Sequence, residues 1–214
     1  RNFLGRGQYL SAEFSGGRNA RNYSFSFSEP SLFGRDLELG VSAYYRTTSA
    51  TSSANYATTG LFVEPYLSFP VSPSSRISVR GTVQGANMYN VAANSSNILK
   101  AEAARGWQVG AGAGFTFTFD SARTALDDRT RYFLQFSGDV GGLGADNQYL
   151  KATALARAQT KLFNDQVTLR GAVEGGAIYS ISGNGTRITD RFALGTDKLR
   201  GFANYGVGPR DLSV

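Results

Sequence analysis

Apolar and polar residues alternate with a period of two through most of this chain, and the phase persists long enough to separate two faces. In 107–119, WQVGAGAGFTFTF, one phase holds Trp107, Val109, Ala111, Ala113, Phe115, Phe117 and Phe119, and the other Gln108, Gly110, Gly112, Gly114, Thr116 and Thr118. Residues 149–162 set Leu150, Ala152, Ala154, Ala156, Ala158 and Leu162 against Tyr149, Lys151, Thr153, Leu155, Arg157, Gln159 and Lys161, with Thr160 interrupting the apolar row. In 166–181 the row Val167, Leu169, Gly171, Val173, Gly175, Ala177, Tyr179 and Ile181 opposes Arg170 and Glu174. The same alternation predicts nine strands, at about 8–16, 21–28, 36–46, 60–69, 75–89, 107–119, 131–140, 148–162 and 166–181. Charges within them keep to the polar phase: Glu13, Glu38, Arg46, Glu64, Arg80, Asp139, Lys151, Arg157, Arg170 and Glu174.

Two architectures alternate in this way. A soluble antiparallel sandwich buries the apolar row in a core, whereas a membrane barrel turns it to lipid and turns the polar row to a hydrated lumen. Strand length and loop asymmetry favour the barrel. Several segments run 10 to 15 residues, where soluble strands average about 5 or 6. Connections near 29–35, 70–74 and 163–165 are short or turn-like and 120–130 is somewhat longer, whereas those near 47–59, 90–105 and 182–214 are long and rich in Ser, Thr, Asn and Ala. The connections near 17–20 and 141–147 are short for that second side. Tyr44, Tyr45, Tyr89, Trp107, Phe119, Tyr132 and Tyr179 lie near segment ends, where interface girdles belong. The expected fold is therefore all-β, an antiparallel transmembrane β-barrel. Nine is odd, and bacterial single-chain barrels close on an even number, so these strands are expected to be part of a longer wall.

Composition adds exclusions. The mean hydropathy of -0.24 suits alternation as well as it suits solubility. With 26 Gly, 13% aromatics and 5 Pro the chain reads as ordered β-structure. It contains no Cys and no His, which removes disulfide frameworks, thiol nucleophiles, Ser-His-Asp triads and the usual zinc ligand sets. No enzymatic activity, cofactor or metal is expected. A net charge of +6 fits nucleic acid, an acidic lipid surface or a mixed surface, and composition alone leaves these open. The chain opens on Arg1 with no charged-then-apolar leader, so any targeting segment is expected to have been removed or to lie outside it.

Three elements in order carry a resemblance. NFLGRGQYLSAEFSGG at 2–17 and SFSFSEPSLFGRDLELGVSAYY at 24–45 resemble the barrel opening of the BamA-type outer-membrane assembly proteins, especially their α-proteobacterial form, and LRGF at 199–202 is similar to the (V/L)RGF signature of that superfamily's long sixth external loop. The family turn that usually carries an FPTxG-like sequence is replaced here by DSARTALDDRT at 120–130. The resemblance implies nine strands of a roughly sixteen-stranded barrel, the third to the eleventh, with an RGF-bearing loop over 182–214. Residues 1–214 would be a partial barrel domain without a POTRA domain, its other strands lying outside the chain.

The implied function is insertion and folding of client β-barrels in the bacterial outer membrane. Implied partners are unfolded outer-membrane clients, assembly-machinery lipoproteins and outer-membrane lipid, with no nucleic acid. In the superfamily the sixth loop folds back into the lumen, and its arginine meets acidic side chains of later strands. Leu199, Arg200, Gly201 and Phe202 are thus the expected latch, with Arg200 charge-paired and Gly201 allowing close backbone approach. Glu13, Glu38, Glu64, Arg80, Asp139, Lys151, Arg157, Arg170 and Glu174 are the expected lumen-facing charges.

Alternative functions are a translocation or secretion pore of the TamA or two-partner type, a passive porin, and a soluble β-sandwich binding module. Weaker signals have plainer explanations. GRGQ at 5–8 and GNG at 183–185 have no helix pattern behind them, as a phosphate loop requires. Asp120, Asp127 and Asp128 form an acidic turn before they form a cation site, and Glu38 with Glu64 are barrel-lining charges before they are a glycosidase pair.

Overall fold

The structure, a computed structural model, describes residues 7–50, 55–124, 129–144, 147–183, 186, 190–192 and 201. Nine strands form one sheet in chain order: β1 (Tyr9–Gly16), β2 (Ala20–Glu29), β3 (Glu38–Thr48), β4 (Ala57–Ser72), β5 (Ser75–Tyr89), β6 (Gln108–Asp120), β7 (Thr130–Leu143), β8 (Tyr149–Leu162) and β9 (Val167–Ser180). Every neighbouring pair is antiparallel. β1 and β9 have one neighbour each, so the sheet is unclosed within this chain.

Register carries the parity seen in the sequence across the whole sheet. One row runs Tyr9, Ser28, Gly40, Tyr66, Arg80, Gly114, Asp139, Lys151, Ile178 through all nine strands. The neighbouring row on the opposite face runs Leu39, Leu67, Val79, Phe115, Gly138, Ala152, Ala177. Because a slip of one residue would exchange the faces, the long alternating segments specify this pairing strongly.

The apolar face encloses no hydrophobic core among the described residues. Among the described residues the only buried hydrophobics are Ala57 and Met88, while Phe115 is 42%, Leu169 61% and Val173 75% exposed. Water would not tolerate so large a contiguous apolar surface, but acyl chains solvate it without cost. A single layer without a core excludes the sandwich. β5, at 15 residues, reaches about 50 Å when extended, enough to cross a hydrocarbon core of about 30 Å at a steep tilt.

Connections follow local chemistry. Pro73 and Ser74 close the β4–β5 hairpin, in which Ser72 pairs with Ser75. Phe163, Asn164 and Asp165 take φ of 51°, 53° and 68° in the β8–β9 turn, conformations that Asn and Asp tolerate best. The region read as a long loop at 90–105 contains α1 (Asn97–Ala104), whose N-terminus is capped by the Ser96 hydroxyl accepting from Ile98 N at 3.1 Å. β4 starts three residues before the alternation does, because backbone pairing continues through Ala57, Thr58 and Thr59, where two threonines in succession break the alternation: Thr58 opposes Thr48, and their hydroxyls bond at 2.6 Å. Tyr44, expected in an interface girdle, lies on the polar face and stacks on Phe62 with ring centroids 4.9 Å apart. Parity outweighed its position near a strand end.

Candidate functional site

The polar face is the candidate site, and its centre is Arg80 on β5. Its guanidinium lies 3.6 Å from Glu64 Oε2 on β4, ion-pairs with Asp139 on β7, and donates to Thr116 Oγ1 on β6 at 2.5 Å; Thr116 in turn bonds Ser137 Oγ at 2.9 Å. Arg80, Glu64 and Asp139 are only 15%, 26% and 28% exposed, so the pairing is sheltered without being fully desolvated.

Reaching Asp139 means crossing β6. At the crossing stands Gly114, paired in register with both Arg80 and Asp139, and a Cβ there would collide with the Asp139 carboxylate and the Gly138 carbonyl. A glycine on the lumenal phase is therefore what lets one cation bind two carboxylates from strands on either side.

Aromatic rings use the same device. The Tyr66 ring lies over Gly40, its partner in register, and its hydroxyl donates to Glu38 Oε1 at 2.9 Å. Tyr149 lies over Gly141, and Gln84 Nε2 on β5 reaches the Tyr149 hydroxyl on β8 at 3.4 Å across two intervening strands. Arg76 pairs with Asp36 at 2.8 Å at the short-turn end, and at the long-loop end Arg105 donates to Asn147 Oδ1 at 2.8 Å, tying the loop that carries α1 to the β7–β8 connection.

All nine charges expected on one face share it by register. Glu64, Arg80 and Asp139 come together, and Lys151 stands next in the row. Glu38 is held by Tyr66 instead, and Glu64 by Arg80, so the two carboxylates belong to different clusters. Arg157 lies over the Phe133 ring at 5.7 Å and Arg170 donates to Gln159 at 2.9 Å, both towards the short-turn end. Glu13, on β1, and Glu174, on β9, occupy the outermost strands.

Of the latch, Leu199, Arg200 and Phe202 lie outside the described residues. Gly201 has φ of +89°, a left-handed conformation that suits glycine. Asp120 caps a turn, accepting from Ala122 N at 3.0 Å, while Asp127 and Asp128 lie outside the described residues.

What the sequence reading missed is Phe192. On the polar face the Phe192 ring lies against Gly176 and under Lys151 Nζ at 4.6 Å. No local pattern announces this, because Gly176 and Phe192 stand sixteen positions apart and meet only in the tertiary structure.

Residues 2–214 match the Omp85 superfamily domain. The chain is 22% identical over its whole length to the outer membrane protein assembly factor BamA of Neorickettsia risticii (strain Illinois), covering 28% of that protein. It is 24% identical over 98% of its length to the sorting and assembly machinery component 50 homologs of Bos taurus and Homo sapiens, covering 44% of each. The chain thus spans less than half the length of these relatives. Its fold matches the crystal structure of BamA from Haemophilus ducreyi lacking POTRA domains 1–3 with a TM-score of 0.79, at 19% identity, over 97% of this chain and 42% of that one. A lipid-facing apolar wall, a charged lumenal face and a match over nearly every residue lead to one conclusion: the chain belongs to the Omp85 superfamily and forms part of an outer-membrane β-barrel.

Proposed function

We propose that this chain is the back wall and loop-bearing part of a BamA-type subunit that folds and inserts client β-barrels into the bacterial outer membrane. The observation that carries the proposal is the end-to-end match to proteins named as assembly factors, joined to a wall braced from inside by Arg80.

The mechanism is physical and not chemical. Insertion needs a place where incoming strands find unpaired backbone edges, and a bilayer thinned beside it. Such a seam must open while the rest of the barrel holds its shape. Strands β4 to β7 supply that stiffness: Glu64, Arg80, Thr116, Ser137 and Asp139 join four strands through side chains in addition to the backbone ladder. The loop after β9 would brace the interior further through Arg200, and assembly lipoproteins would act with the subunit outside the wall.

The test is depletion of the full-length protein and complementation with Arg200→Ala, scored by the amount of folded client barrels in the outer membrane. Depletion should lower folded clients, and R200A should restore them only in part. Unchanged client levels on depletion would overturn the assembly function, and full complementation by R200A would overturn the latch.

A further inference from the structure

The segment after β9 is held to the wall at a place distinct from the RGF motif. Lys151 Nζ, on β8, donates to the Asp190 carbonyl at 3.2 Å and lies 4.6 Å from the Phe192 ring centroid. A Cβ on Gly176 of β9 would come within 2.5 Å of Phe192 Cζ and 2.9 Å of Cε1, so the ring occupies the space that the glycine leaves open. Arg191 folds back on the segment itself, donating through Nε to Thr186 Oγ1 and through Nη2 to the Thr186 carbonyl, each at 2.9 Å. Asp190 helps line a cavity of about 150 Å³ bounded by Tyr44, Phe62, Gln84, Gln108 and Asn147, so the arm reaches over the lumenal wall towards β4–β6.

We propose that Lys151 and Gly176 form a socket for Phe192, mooring this loop to the inner wall and positioning the RGF segment eight residues further on. The inference rests on the latch described above and adds a second, nearer point of attachment. Lysine fits the socket because its ammonium serves two acceptors at once, the ring face and the Asp190 carbonyl. Mooring also has an entropic consequence. From Ser180 to Arg200 the free loop would be 20 residues, and from Phe192 it is eight. Loop-closure cost grows as (3/2)RT ln n, so the shorter loop favours latch closure by about fourfold.

The experiment is tryptic cleavage of the full-length protein in outer-membrane vesicles, read at Lys198 and Arg200 and not beside the substituted residue. Phe192→Ala and Gly176→Val should each raise that cleavage rate about fourfold. Lys151→Met, which keeps the stem and removes the cation, should raise it about twofold to threefold, while Phe192→Tyr should leave it near wild type. Wild-type cleavage rates in F192A, with native heat-modifiable gel mobility, would overturn the socket, and F192A tests it even if G176V fails to fold. Cleavage reports mooring whether or not the protein inserts clients. Client levels in the same strains report the assembly function separately.

Discussion

The central strands β4 to β7 and the last strand β9 have the same alternation and opposite surroundings. On β5 the polar phase is largely sheltered and Arg80 is bonded to residues of β4, β6 and β7, whereas β9 is exposed along almost its whole length and Arg170 makes an exposed hydrogen bond to Gln159. A charge on the lumenal phase can therefore bond beyond its neighbouring strand where a glycine in that strand lets it reach across. Gly114 provides that passage at Arg80. On β9 the glycine is met instead by a residue of the chain's own downstream segment, Phe192 against Gly176.

Three substitutions sharpen this contrast, each measured by denaturant unfolding of the full-length protein in detergent micelles. The largest effect is expected from Gly114→Val, which drives a side chain into Asp139 and the Gly138 carbonyl and separates Arg80 from its carboxylate. A loss of about 3–5 kcal/mol follows from breaking a sheltered pair. Less than 1 kcal/mol would show that β6 merely fills space. Asp139→Asn keeps the shape and leaves Arg80 to Glu64, 3.6 Å away; the expected loss is about 2 kcal/mol. Equal loss from D139N and G114V would mean that charge, and not the crossing, is what Gly114 protects. Arg170→Gln on β9 should cost under about 0.5 kcal/mol, and a loss as large as that of D139N would erase the distinction between the two regions.

Much of the fold is legible in the chain because β parity is local. Phe115, Phe117 and Phe119 declare one face and Thr116 and Thr118 the other before any partner strand is known. α1 escaped such reading because eight residues, Asn97–Ala104, are too few for a helical period to stand out between strands. Tyr44 escaped because an aromatic near a strand end suits a girdle and a lumen equally until its partner, Phe62, is fixed.

Strand parity and the charged face were thus determined by the sequence alone, since each depends on residues one or two positions apart; strand length and loop asymmetry favoured the barrel, and the coreless single sheet decided it against a sandwich. Only the tertiary structure decided which glycine stands under which side chain: Gly40 under Tyr66, Gly114 between Arg80 and Asp139, Gly176 under Phe192. The physical reason is register. Side chains meet across strands through pairings set by the whole sheet and its loops, and residues that are neighbours in space stand tens of positions apart along the chain.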